Sequence, residues 1–124
     1  MVQSFESGDT LSAQRIICLT TAGLAGYTVT CATAGGSFPV GISNDSAKTG
    51  QGIPVSGPGE IARLIFNDTV NTGALVGSDT NGKGIPFNAA TATAYFVGIL
   101  VSATIAATGT YGNVYVCPGA IKTV

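Results

Sequence analysis

An all-β domain is the fold class this sequence predicts, either a small β-barrel or a sandwich built of two pseudo-repeated strand-loop-strand units behind an extended N-terminal segment. Three observations carry that expectation. Eighteen glycines, with Asn-Gly, Pro-Gly and Thr-Gly punctuation, cut the 124 residues into short β-branched pieces. No window holds a sustained helical period flanked by caps, and at most a turn or two of helix is expected at 88–93. Finally, short motifs recur in the same order in the two halves of the chain.

Residues 1–11 are polar and acidic with isolated apolar side chains at Val2, Phe5 and Leu11. That composition suits a tail in the free protein, or an arm that orders on a neighbouring subunit with Phe5 and Leu11 as anchors. A single β domain spans 12–124. Strands are expected near 15–20, 27–32, 38–43, 60–66, 75–78, 94–104 and 111–117, each an apolar or Thr-rich run bounded by turn residues. Residues 94–107 (AYFVGILVSATIAA) are the most apolar stretch, but they fall short of the roughly 20 residues a bilayer demands. Gly98, Ser102 and Thr104 interrupt them, so a buried strand pair is expected there and not a membrane segment.

The repeat links Val40-Gly41-Ile42, Thr49-Gly50, Pro58-Gly59 and Ile61 with Val97-Gly98-Ile99, Thr108-Gly109, Pro118-Gly119 and Ile121. Its offset drifts from 57 (98 minus 41) through 59 (109 minus 50) to 60 (118 minus 58), as small loop insertions would cause. Two copies suit a pseudo-symmetric barrel or sandwich, whereas a solenoid needs three or more.

Composition narrows function by exclusion. Five Lys and Arg against six Asp and Glu give a net charge of -1, with the cations scattered, so no footprint for nucleic acid is expected. His is absent, which removes the commonest general base and zinc ligand. The acids Glu6, Asp9, Asp45, Glu60, Asp68 and Asp79 are dispersed, mostly in turns. No catalytic residue, cofactor site or metal site is therefore assigned, and an enzyme is not expected. Cys18, Cys31 and Cys117 form no C-x-x-C pair and are expected to be small buried hydrophobes in a reducing compartment. No secretory signal or transit peptide is visible at the N-terminus.

Several motifs invite a sharper reading. Gly77-Ser-Asp-Thr-Asn-Gly-Lys83 matches the start of a phosphate-binding loop, but Gly84 stands where magnesium needs a hydroxyl and Ile85-Pro86 discourages the following helix. Asn81-Gly82 instead suits a tight hairpin turn with positive φ at both residues. Asp79 and Asn81 lack the closing glutamate of a calcium loop. The sequons Asn44-Asp45-Ser46 and Asn67-Asp68-Thr69 read as polar turns.

The run Ala74-Leu-Val-Gly-Ser-Asp-Thr-Asn-Gly-Lys-Gly-Ile-Pro-Phe87, followed by Tyr95-Phe-Val-Gly-Ile99 and Gly112-Asn-Val-Tyr-Val116, resembles the small capsid decoration (cement) proteins of tailed bacteriophages. Residues 38–42 through Ile61 resemble that family's earlier occurrence of the same pattern, so the likeness covers about 22–116. The resemblance implies a β-barrel or β-tulip-like fold, a homotrimer, and attachment to the outer face of an icosahedral head, with the major capsid protein as partner. It implies synthesis in the host cytoplasm, and it transfers no catalytic residue, cofactor, nucleic-acid or membrane partner. On this reading the N-terminal arm, through Phe5 and Leu11, touches the capsid or a neighbouring subunit. The loop at 50–59 departs from simpler members. The alternative is a small β-sandwich binding module for carbohydrate or a cell-surface partner on a tail or fibre, its platform drawn from four Tyr and five Phe in the absence of Trp.

Overall fold

The computed structural model describes residues 2–7, 10–19, 28–31, 39–79, 81–87 and 93–122. Among them there are ten strands and no helix: β1 Val2–Ser7, β2 Ile16–Leu19, β3 Thr28–Cys31, β4 Pro39–Ser43, β5 Gly52–Ser56, β6 Ile61–Ile65, β7 Leu75–Ser78, β8 Gly84–Pro86, β9 Thr93–Leu100 and β10 Tyr111–Lys122. The first five form a circuit, β1-β3-β2-β4-β5, that closes into a small barrel because β1 pairs antiparallel with β5 and parallel with β3. The last five form a sheet of order β6-β10-β9-β7-β8. Its two outer strands, β6 and β8, are bridged in parallel at Phe66↔Gly84. The molecule is thus not one barrel but a closed circuit packed on a partly opened one.

The pseudo-repeat proves to be a repeat of pairing register. Val2↔Ser56 becomes Ile61↔Tyr115 and Glu6↔Gly52 becomes Ile65↔Tyr111, each moved by 59 residues (61 minus 2; 111 minus 52). Ile16↔Ile42 and Ile17↔Gly41 become Leu75↔Ile99 and Val76↔Gly98. Ser43↔Val55 becomes Leu100↔Val114. Even the isolated bridge Leu11↔Ala47 recurs as Val70↔Ile105. Turn hydrogen bonds repeat as well: the Gly50 amide donates to the Ser7 carbonyl at 2.7 Å, and the Gly109 amide donates to the Phe66 carbonyl at 2.7 Å. Strand identity therefore follows in order, β1 to β6 through β5 to β10. Pro58-Gly59 and Pro118-Gly119 are the exception, because the first is a turn while the second lies inside β10 at a bulge between Val116 and Gly119. Proline is tolerated at such a bulge because the ladder there asks for no amide donor.

Alternation along these strands makes two cores. Leu11, Ile17, Ala47, Ile53 and Val55 fill the barrel, with Val40 packed against them. Val40 reaches that side because it is the extra residue between Ile17↔Gly41 and Cys18↔Pro39. The larger core holds Leu64, Phe66, Val70, Val76, Leu100, Ile105 and Val114 of the second half together with Ile16, Cys18 and Ile42 from the outside of the barrel. Those three side chains join the halves. Full burial of one isoleucine contributes about 1.5–3 kcal/mol, so Ile16 and Ile42 alone account for several. Backbone bonds reinforce the seam: the Ile16 amide donates to the Gly82 carbonyl at 2.7 Å and the Ile65 amide to the Gln14 carbonyl at 3.2 Å.

Two glycines explain why Val-Gly-Ile appears twice. A Cβ on Gly41 would fall on the Ser56 carbonyl oxygen, and one on Gly98 on the Tyr115 carbonyl oxygen. The paired backbones approach too closely for any side chain, at the same register point in each half.

The sequence expectations need three corrections. Residues 2–7, expected as part of a tail or arm, form β1 and close the barrel, a long-range pairing that local composition does not reveal. The loop expected at 50–59 contains β5, and β8 was not expected. Both are short and carry Gly and Pro, which mask the β signal. The helical turn weighed at 88–93 lies, apart from Thr93 at the start of β9, outside the described residues.

Candidate functional site

The outward face of the second sheet carries a row of apolar side chains that register assembles from four strands. Leu75 on β7 pairs with Ile99 on β9, Ile99 with Tyr115 on β10, and Tyr115 with Ile61 on β6. Each points outward because its neighbours Val76, Leu100, Val114 and Ala62 point into the core. Ile61 is 62% exposed and Tyr115 40%. Leu75 and Ile99 are half-buried.

Beside this row lie Arg63 paired with Asn113, and Ile65 paired with Tyr111. The Arg63 guanidinium carbon stands 4.2 Å from the centroid of the Tyr111 ring, a cation-π contact between neighbouring strands. Tyr111 is 42% exposed. Val101, 46% exposed, extends the patch and donates its amide to the Asn113 carbonyl at 2.9 Å. Apolar, tyrosine and arginine side chains on a rigid sheet are the composition of a protein interface. Among the described residues no group of three or more Cys, Asp or Glu is placed to hold a metal ion.

The loop between β7 and β8 is a hairpin connection. Its amides face inward: Asp79 Oδ1 accepts from the amides of Asn81 at 2.8 Å and Lys83 at 2.9 Å, and Oδ2 accepts from Asn67 Nδ2 at 2.9 Å. Donors that a phosphate would need are already bonded to this carboxylate, and a strand follows instead of a helix. The same donors around Asp79 disfavour a cation. One detail differs from expectation: Gly82 has φ 75°, but the pairing that flanks the turn is Ser78↔Gly84. The Asp79 amide donates to the Lys83 carbonyl at 2.9 Å, so the connection is a longer loop shaped by the Asp79 side chain and not a two-residue turn.

The remaining candidates lie elsewhere. Leu11 is buried in the barrel core, and Phe5 pairs with Ile53 within β1 and β5. Neither stands on the outward row. Cys18 is buried and Cys117 half-buried at the β10 bulge, neither in a disulfide. The side chain of Cys31 lies outside the described residues. Both sequons are exposed bends closed by their own aspartates: Asp45 Oδ1 accepts from the Ser46 amide at 2.8 Å and Asp68 Oδ1 from the Thr69 amide at 2.7 Å.

No protein-family model matches the chain, and no curated protein does. A solved structure does match: the N base of the head fiber protein gp8.5 of bacteriophage phi29, with a TM-score of 0.72 over 94% of this chain and 93% of that one. The two share one fold. Identity is 13%, so the likeness is one of architecture.

The sequence reading missed the outward row. Its only trace is the alternation Ile61-x-Arg63-x-Ile65 and Tyr111-x-Asn113-x-Tyr115, which shows that these residues share a face but not that the face is left uncovered.

Proposed function

We propose that this protein is a structural component of a phage virion, a decoration or cement protein on the outside of an icosahedral head. The likeness of nearly the whole chain to a phage head-fiber base is the observation that carries the reading. The motif resemblance to decoration proteins agrees with it, and the exposed Tyr, Ile and Arg patch suits protein contacts. In this role the protein binds the major capsid protein and associates with itself as a homotrimer. Stabilisation is additive: each bound copy bridges neighbouring shell subunits, so expansion or loss of a subunit first has to break those contacts. Three linked copies also raise the effective concentration of the second and third contacts.

Incubating purified protein with mature heads lacking it, followed by electron microscopy and thermal challenge, tests this directly. Saturable density on the outer shell and heads that open at higher temperature are expected; heads that bind no protein would refute the role. Tyr111 and Tyr115, exposed four residues apart on one strand, favour the second reading, a sugar-binding platform on a tail or fibre. Glycan binding lost in Tyr111→Ala and Tyr115→Ala would select it.

A further inference from the structure

The loop between β7 and β8 takes no part in the proposed function, yet it carries Asn81-Gly82. In that pair the asparagine carboxamide is unusually open to attack by the next backbone nitrogen, because glycine has no Cβ to shield it. Asn81 is exposed. The Asp79 carboxylate holds the amides on either side of the reacting bond, that of Asn81 at 2.8 Å and that of Lys83 at 2.9 Å. Between them the Gly82 amide, the nucleophile of the reaction, donates to the Asp79 backbone carbonyl at a longer 3.3 Å. The loop thus fixes its flanks and leaves the reacting nitrogen the least tightly held of the three.

We propose that Asn81 is a site of self-modification whose product loosens the seam between the two halves. The Gly82 nitrogen gives its proton to solvent base and bonds to Asn81 Cγ; the Cγ–Nδ2 bond breaks, and the side-chain nitrogen leaves as ammonia. Water then opens the resulting cyclic imide, and no step exchanges electrons. Cleavage between the Gly82 nitrogen and Cγ leaves aspartate on an unchanged main chain. Cleavage between that nitrogen and the backbone carbonyl carbon of residue 81 leaves isoaspartate, whose main chain runs through Cβ and Cγ and is longer by one atom. The added atom falls between the two amides that share Asp79 Oδ1 and directly before Gly82, which is buried. The Gly82 carbonyl accepts the Ile16 amide at 2.7 Å, tying the loop to β2 of the first half. With both flanks held on one carboxylate oxygen, a longer main chain displaces that carbonyl from Ile16.

The test uses the purified full chain and does not depend on heads. After prolonged incubation in mildly alkaline buffer, peptide mapping by mass spectrometry is expected to find amide-to-acid conversion at Asn81 ahead of Asn44, Asn67, Asn71, Asn88 and Asn113. Labelling by an isoaspartyl methyltransferase should mark the same peptide, and Asn81→Gln, whose longer side chain closes the ring far more slowly, should abolish the signal. In the isoaspartate fraction the Ile16 amide should exchange with solvent about tenfold faster or more, because its seam hydrogen bond is lost. Freshly purified Asn81→Asp carries the same added charge on an unchanged main chain and should keep wild-type protection at Ile16. Conversion at Asn81 no faster than at the other asparagines would overturn the proposal. So would an isoaspartate form whose Ile16 amide is as protected as that of the unmodified protein, or an Asn81→Asp protein in which that amide is equally exposed.

Discussion

Substituting Gly112 by alanine tests the packing difference between the two halves. In the barrel the positions are Ser7 and Ile53; in the second half the same register points hold Phe66 and Gly112. A small residue beside a large one has become a large one beside the smallest. Phe66 is fully buried, and a Cβ on Gly112 would sit 2.8 Å from Ile105 Cδ1 and 3.1 Å from both Leu100 Cδ1 and Phe66 Cε1. These are side-chain ends, so each must give by a few tenths of an ångström, which points to overpacking of about 1–3 kcal/mol. Gly98→Ala should cost more, because its Cβ meets the Tyr115 backbone, which cannot turn aside. Phe66→Leu alone opens space and destabilises, but it should recover part of the cost of Gly112→Ala, with a coupling of about 1 kcal/mol in a double-mutant cycle. Urea denaturation followed by circular dichroism reads this: with a slope of about 1–3 kcal/mol per molar, 2 kcal/mol moves the midpoint by roughly 1 M. Strictly additive midpoints, or a Gly112→Ala protein as stable as wild type, would refute the exchange of volume between the two positions.

Leu11→Ala is expected to cost about 2–4 kcal/mol in the same assay, as a barrel-core leucine does, whereas an anchor on a free arm would leave stability unchanged. Gln14 has φ 53° where its counterpart Gly73 has φ 84°, so Gly73→Ala should lose about 1 kcal/mol and Gln14→Gly should melt no lower than wild type. Asp79→Ala removes the acceptor of two loop amides and of Asn67 and should lower stability by about 1–2 kcal/mol. Lys83→Ala should stay within about 0.5 kcal/mol and change no nucleotide binding, measured by calorimetry with ATP.

The sequence alone was enough for the fold class, for β2, β3, β4, β6, β7, β9 and β10, and for the existence of two related units. Those readings rest on local signals: β-branched runs between glycines, and Val-Gly-Ile where two backbones touch. Absence of His and dispersal of the acids along the chain are likewise local facts, read directly from the sequence. Tertiary structure decided the rest because it depends on partners far apart in the chain. β1 is a strand only because β5 and β3 flank it, and β5 and β8 are too short and too rich in Gly and Pro to show a period of their own. Alternation shows that Ile42 and Ile99 both face out of their strands, yet one is fully buried and the other only half-buried. That difference follows from how one half packs on the other, which no local pattern in the sequence carries.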